Sequence, residues 1–416
     1  MRDFDRLFRE SVTGANQLEK KLSPRFEYAD LVTFKENKKV PIYNWFYYKE
    51  GFSGSFVKNA LQELHIPKGS TVLDPFCGAG NTLLAAKQSG YNSVGFDILP
   101  LGVFVSRVKL EEDYNLNNLE KEIRRISSLK FGEPKTKLVD IKFIDMRRAF
   151  SRYARNDVPF FREKIMEIED EKIRNFMLLG LISIVGEASN VKKDGGVLRI
   201  VHKQHLPPVR YLLKNRLKRM FKDLKKIEKH PGTSSRVFQG DARSLDLEDE
   251  SVDVCITSPP YLNFVDYTKL YALELSLLVS SNNEILELRK KSMKSHISAK
   301  HENEMNYKID KIFEKNVISV SPGYGIPEVV HGYLRDLYES VAEIHRVLKP
   351  DGKAVLVIGN AALPGITVDV DLALAEMGAD LGMEVKDIWV ANVRWADVHG
   401  ISKPRPVRES CIVLEK

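Results

Sequence analysis

The run from Thr71 to Asp97 constrains the fold more than any other part of the chain. Thr71-Val72-Leu73 is a short apolar stretch that reads as a buried strand. Cys77 to Asn81 forms a glycine-bearing turn, Thr82 to Gln88 reads as a helix closed by Gly90, and Ser93 to Asp97 reads as the next strand. This is half of a Rossmann-like βαβ crevice, the kind that binds a ligand at its carboxyl end.

The turn is Asp74-Pro75-Phe76-Cys77-Gly78-Ala79-Gly80-Asn81. Glycines suit a backbone that must approach a ligand with no Cβ in the way. The helix that follows offers free N–H groups. The same turn would serve a nicotinamide enzyme or a plain tight bend. Asp97 narrows the choice. It ends the second strand, 17 residues after Gly80. A carboxylate there can accept from both ribose hydroxyls, or cap the turn that follows. Leu83 stands where the dinucleotide pattern has its third glycine. A nucleoside without a pyrophosphate therefore fits better.

A second α/β stretch resumes at Arg236, with Val237-Phe238 as a strand and Gly240-Asp241-Ala242-Arg243 as the turn after it. Asp241 there can accept from an adenine amino group, or start a turn. The strand Val252 to Thr257 runs into Ser258-Pro259-Pro260-Tyr261. Two prolines fix φ and remove two N–H donors, leaving carbonyls free. Ser258 adds a hydroxyl and Tyr261 a flat face. That set suits an extruded base, stacked on the ring with its amino group met by oxygens. A proline-rich turn with an incidental tyrosine is the plainer alternative.

With these residues in view, the Asp74 to Gly80 turn resembles motif I of the DNA amino-methyltransferases. Ser258 to Tyr261 is similar to their catalytic motif IV, in the S-P-P-Y form typical of cytosine-N4 enzymes; adenine-N6 enzymes more often begin it with Asp or Asn. Phe52-Ser53, in an aromatic-rich stretch, resembles motif X, which packs beside the cofactor. Val385 to Val393 and Cys411 to Glu415 resemble the closing hairpin of the sheet.

The resemblance implies an α/β, Rossmann-like methyltransferase fold, mostly parallel with an antiparallel last strand. It implies S-adenosylmethionine as cofactor, held by Phe52, Ser53, Asp74, Pro75, Phe76, Gly78, Gly80, Asn81, Asp97, Asp241 and Ala242. It makes Ser258, Pro259, Pro260 and Tyr261 the catalytic set, with N4 of a flipped-out cytosine in double-stranded DNA as acceptor. A companion restriction endonuclease is compatible with this. The alternatives are an adenine-N6 enzyme, an RNA base-amine methyltransferase, and a non-catalytic nucleic-acid-binding protein. Intact Ser258–Tyr261 and Asp97 speak against the last.

Charge points to the partner. The formal net charge is +7, yet Arg199 to Lys229 alone holds eleven Lys/Arg against Asp223 and Glu228. Val209, Leu212, Leu213, Leu217, Met220, Leu224 and Ile227 recur at steps of three and four, which predicts an amphipathic helix over 208–227. Lys214, Lys218, Arg219 and Lys222 fall on its other face as candidate DNA contacts. Arg289, Lys290 and Lys291 open a second basic stretch that reaches Lys300. A solvated helix face is the ordinary alternative for both. Gly195-Gly196 reads as a loop that could approach the duplex.

These features divide the chain into an N-terminal arm (1–39), a cofactor-binding part (40–110), a helical insertion (111–234), a catalytic part (235–281), a second insertion (282–330) and a C-terminal part (331–416). The arm reads as loosely packed. Single helices are expected over Phe160–Ile184 and Tyr267–Val279. Cys77, Cys255 and Cys411 are far apart and form no CxxC pair, so neither a metal site nor a disulfide framework is expected. Neither Cys77 nor Cys255 is placed like the nucleophile of a C5-methyltransferase. The longest apolar run, Phe176 to Val185, is shorter than the ~20 residues that span a bilayer. Met1 to Glu10 does not read as a signal peptide. The expectation is a cytoplasmic protein with no membrane partner.

Overall fold

The computed structural model describes residues 4–14, 16–263, 265–295, 311–312, 315–319, 328–396 and 405–416. Part of the basic stretch (296–300) and the glycine- and proline-bearing loop 320–327 lie outside the described residues.

Among the described residues, eight strands form the central sheet: β1 (Leu22–Pro24), β2 (Thr71–Asp74), β3 (Asn92–Asp97), β4 (Ser235–Gln239), β5 (Val252–Thr257), β6 (Leu348–Gly359), β7 (Glu384–Trp395) and β8 (Pro406–Glu415). Their order is β1-β7-β8-β6-β5-β2-β3-β4. Every pairing is parallel except those of β8, which runs antiparallel to both β7 and β6. From β2 the chain moves to one side, through β3 to β4. From β5 it moves to the other, to β6. The order therefore reverses between β2 and β5, and loops leaving their carboxyl ends diverge around a crevice.

Alternate side chains of the strands feed two cores. Val72, Val254, Ile256, Val355 and Val357 face one, while Leu73, Cys255, Leu356 and Ile358 face the other. Burial on both faces explains why β5 reads as one apolar run rather than an alternation. The first core is covered by α1 (Gly54–Glu63), α2 (Asn81–Gln88) and α3 (Pro100–Leu110). The second is covered by two later helices, Glu328–Val347 and Val370–Asp380.

The insertion extends the first core. It contributes α4 (Leu116–Ser128), α5 (Arg152–Met166), α6 (Glu171–Ile182) and α7 (Val209–Leu224). The single helix expected over Phe160–Ile184 is two. Asp170 takes the Ile173 N–H at 3.1 Å and starts a new helix after the first has ended at Met166. On α7, Val209, Leu213, Leu217 and Met220 are buried, and Lys214, Lys218, Arg219 and Lys222 are exposed. The neighbouring Arg216 is half-buried, bonded to Glu187 at 2.7 Å and to the Trp45 carbonyl at 3.3 Å.

Two other expectations change. The N-terminal arm is packed: β1 pairs with Ile388–Val390, and Tyr28, Val32 and Phe34 are buried. Its apolar residues are too sparse to show a period, so only tertiary contact reveals them. The helix expected over Tyr267–Val279 breaks into Tyr267–Leu270 and Ala272–Leu275 at Tyr271, whose ring is fully buried. Gly195-Gly196 is the turn of a hairpin, Val191–Asp194 against Val197–Ile200. No described helix is long and apolar enough to cross a membrane.

Candidate active site

Asp74 ends β2 and Thr257 ends its neighbour β5, so the reversal in strand order places them side by side. The Thr257 hydroxyl donates to Asp74 Oδ1 at 2.6 Å, which ties the two strand ends at the mouth of the crevice. The Phe76 N–H donates to the same oxygen at 3.2 Å. Burial pushes the Asp74 carboxyl up to about 6.

The glycine turn follows. Gly78 has φ +48° and Gly80 φ +72°, where a Cβ is strained. A Cβ on Gly78 would also lie 2.9 Å from Tyr48 Cε1, and one on Gly80 2.6 Å from Ser106 Oγ. α3 braces the turn from behind: Ser106 donates to the Gly78 carbonyl and Lys109 Nζ to the Ala79 carbonyl, each at 3.0 Å. Asp97 accepts the Gly78 N–H on one oxygen and the Leu99 N–H on the other, both at 2.8 Å. A carboxylate has about four lone-pair sites, so two remain for ligand hydroxyls. Burial raises the Asp97 carboxyl to about 6.

Lys109 gives a pH signature. It is fully buried, which lowers its ammonium from the ordinary 10.5 to about 7. The unfolded chain keeps that proton to higher pH. Stability should therefore rise between pH 7 and 10.5, where the unfolded state binds more protons, and gain nothing from this group below pH 7. Urea unfolding of wild type and Lys109→Met should show the difference moving in favour of wild type from about pH 7.5 to about pH 9. A difference that does not change with pH would contradict this.

Beside the turn, Asn81 opens α2. Its Nδ2 donates to the Phe52 carbonyl at 2.9 Å, and its Oδ1 is buried with no hydrogen-bond partner among the described residues. A lone buried acceptor next to a glycine turn suits a ligand donor such as an ammonium. Phe52 lines the cleft, whereas Ser53 is fully buried and caps α1 through the Phe56 N–H at 3.1 Å. Ser53 and Gly80 thus shape the cleft from outside its lining. Asp241 and Ala242 line it. Asp241 is already paired with Arg243, through Nη2 at 2.6 Å and Nε at 2.9 Å, and Arg243 reaches on to Asp336 at 2.8 Å. That network fixes the turn after β4.

The proline loop forms the facing wall. The Ser258 hydroxyl donates to the Val357 carbonyl at 3.1 Å and its side chain also meets the Tyr261 hydroxyl, while its oxygen keeps a lone pair that can accept. The Pro260 carbonyl is taken by the Tyr333 hydroxyl at 2.8 Å. No described donor reaches the Pro259 carbonyl. Tyr261 lies on Gly359, where a Cβ would stand 3.0 Å from ring atoms Cδ2 and Cε2. Its hydroxyl donates to Glu409 Oε1 at 3.0 Å.

Both loops line one cleft of about 430 Å³, together with Tyr48, Glu50, Tyr267 and Glu409. Sequence reasoning missed these four. Tyr48 belongs to the aromatic-rich stretch, which was its signal; Glu409 carries none, because only strand pairing brings it here. Tyr48 stacks on Tyr271 with centroids 4.9 Å apart, and Lys193 Nζ sits 3.6 Å from the Tyr271 centroid. Lys193 thereby anchors the 191–200 hairpin beside the cleft, which Gly195-Gly196 line.

Of the second basic group, Arg289 is not a free cation. Its Nε lies 2.6 Å from Asp266 Oδ2, and Asp266 is 6% exposed, so the pair braces the cleft wall. Lys290 is exposed and paired with Glu287 at 2.7 Å, while Lys291 is exposed and lines the cleft. Among the described residues no group of three His, Cys, Asp or Glu is arranged to hold a metal ion.

A family model described as DNA methylase, of the N6/N4 type, matches residues 16–100. The chain is 31% identical over 430 residues to the Type II methyltransferase M.BsoBI of Geobacillus stearothermophilus, covering 88% of this chain and 83% of that protein. It is 26% identical over 405 residues to the Type II methyltransferase M.AvaI of Nostoc sp., covering 86% and 83%. It is 22% identical over 369 residues to the Type II methyltransferase M.MjaII of Methanocaldococcus jannaschii, covering 66% and 69%. The crevice at the strand reversal, the two loops that wall it and the extent of these matches lead to one assignment: the chain belongs to the Type II DNA amino-methyltransferases.

Proposed function

We propose that the protein transfers a methyl group from S-adenosylmethionine to the exocyclic N4 amine of a cytosine flipped out of double-stranded DNA. The observation that carries this reading is the pair of acceptors, Ser258 Oγ and the Pro259 carbonyl, on the cleft that the glycine turn also lines. Ser rather than an acidic residue or its amide opens the loop, the form that resembles cytosine-N4 enzymes.

The cofactor's residues are Asp97 for the ribose hydroxyls, the Gly78 turn for close backbone approach, and Asn81 Oδ1 for the ammonium. When bound, S-adenosylmethionine supplies a methyl group on a sulfonium, already strongly electrophilic. The chain's task is then positioning. Tyr261 holds the base by its face. Ser258 Oγ and the Pro259 carbonyl accept from the amine N–H groups and aim its nitrogen. They stabilise the positive charge that grows there as the N–C bond forms and the carbon–sulfur bond of the sulfonium breaks, and the methylated amine then gives up one proton to water. Asp74, fixed by Thr257, keeps the two walls in register. Lys214, Lys218, Arg219 and Lys222 on α7 are the proposed phosphate contacts, and loss of each should flatten the salt dependence of DNA binding.

The test is nucleoside mass spectrometry of DNA treated with the protein and isotope-labelled cofactor. Labelled N4-methylcytosine is the expected product. Labelled N6-methyladenine would move the reading to adenine with the same acceptors. Absence of any methylated nucleoside across DNAs of broad sequence content would overturn the enzymatic reading.

A further inference from the structure

The Tyr261 ring is seated by a cross-strand pair that no sequence motif marks. Gly359 on β6 and Glu409 on β8 are directly opposite each other in the antiparallel register. Gly359 provides the floor, since any Cβ there would stand 3.0 Å from two ring carbons. Glu409 provides the latch, since its Oε1 accepts from the Tyr261 hydroxyl at 3.0 Å. On its other side Glu409 faces Asn392 of β7, its opposite number in that pairing. The Asn392 side chain lies against that carboxyl and favours its charged form. Glu409 also lines the cleft, so it lies where the base is expected. The one strand that runs against the rest of the sheet is what brings this carboxyl to the catalytic loop.

We propose that Gly359 and Glu409 form a seat that fixes the plane of the Tyr261 ring, and that Glu409 is a positioning residue for the flipped base. The proposal rests on the base-stacking role given to Tyr261 above. An aromatic ring on a loop can swing about two side-chain torsions. Floor and latch together remove that freedom, so the stacking face is set before the base arrives.

Single-turnover methyl transfer by wild type, Tyr261→Phe, Glu409→Ala, their double variant and Glu409→Gln tests it. Tyr261→Phe and Glu409→Ala break the same contact from opposite ends. Each should slow transfer by about tenfold, and the double variant should be no slower than the slower single one. Glu409→Gln retains an acceptor oxygen and should recover most of the rate lost in Glu409→Ala. Cofactor affinity, read by calorimetry, should stay within about threefold in all of them and report that they fold. Gly359→Ala provides a second route: it should slow wild type and add nothing in a Tyr261→Ala background. Multiplying effects in the double variant, or an unchanged rate in Glu409→Ala, would overturn the seat. Wild type that transfers no methyl group to DNA would instead overturn the functional reading beneath it.

Discussion

Asp97→Ala is expected to weaken S-adenosylmethionine binding by at least about 100-fold. The carboxylate is asked to accept two ribose hydroxyls. Hydrogen bonds to a charged group contribute about 1.5–3 kcal/mol each, and about 1.4 kcal/mol is tenfold in affinity. The loss also reaches the turn, because the same two oxygens hold the Gly78 and Leu99 N–H groups at 2.8 Å. Asp97→Asn keeps the shape but turns an NH2 group toward one of those donors, so it should be nearly as damaging. The wild type should show the same dependence on pH. Its carboxyl sits near 6, so cofactor affinity should fall as pH drops through that value and hold steady above about 7. Calorimetric titration at several pH values measures both. Asp97→Ala binding within threefold of wild type would contradict the ribose assignment.

Tyr261→Ala should do the reverse. Base stacking on an aromatic ring is worth about 1–3 kcal/mol per base. Removing the ring also leaves Gly359 uncovered and Glu409 without its donor, so the loop loses its fixed shape. Together these place the expected fall in kcat/KM for DNA near 100-fold. The glycine turn is untouched, and cofactor affinity should change by less than about threefold. Steady-state transfer assays beside calorimetry separate the two effects. Loss of cofactor binding in the Tyr261 variant alone would contradict the division of labour between the two walls.

What was legible in the sequence is what local chemistry dictates. The glycines at Gly78 and Gly80 are demanded by positive φ, and Pro259-Pro260 by a rigid strand exit, so both loops announce themselves in the residues that build them. The α7 stripe is legible because one helix carries all of it. The rest depends on distant pairing. Glu409 gains its meaning from lying opposite Gly359, Lys109 from lying behind Ala79, and Arg289 from meeting Asp266. Arg289 shows the limit most clearly. In the sequence it is one more cation in a basic run; in the fold it pairs with a buried carboxylate. The arm fails for a related reason. Leu22–Pro24 has too few residues for a pattern and becomes a strand only because β7 offers an edge.

The most direct test is a crystal structure of the protein with a duplex and an unreactive cofactor analogue bearing an amine in place of the sulfonium methyl. The analogue should lie along Asp97 and the Gly78 turn, with an extruded cytosine on the Tyr261 ring. Its N4 amine should donate to Ser258 Oγ and the Pro259 carbonyl, and lie within about 3.5 Å of the analogue's amine. An analogue seated in another cleft, or a base bound away from the Ser258–Tyr261 loop, would contradict the single crevice on which the reading stands.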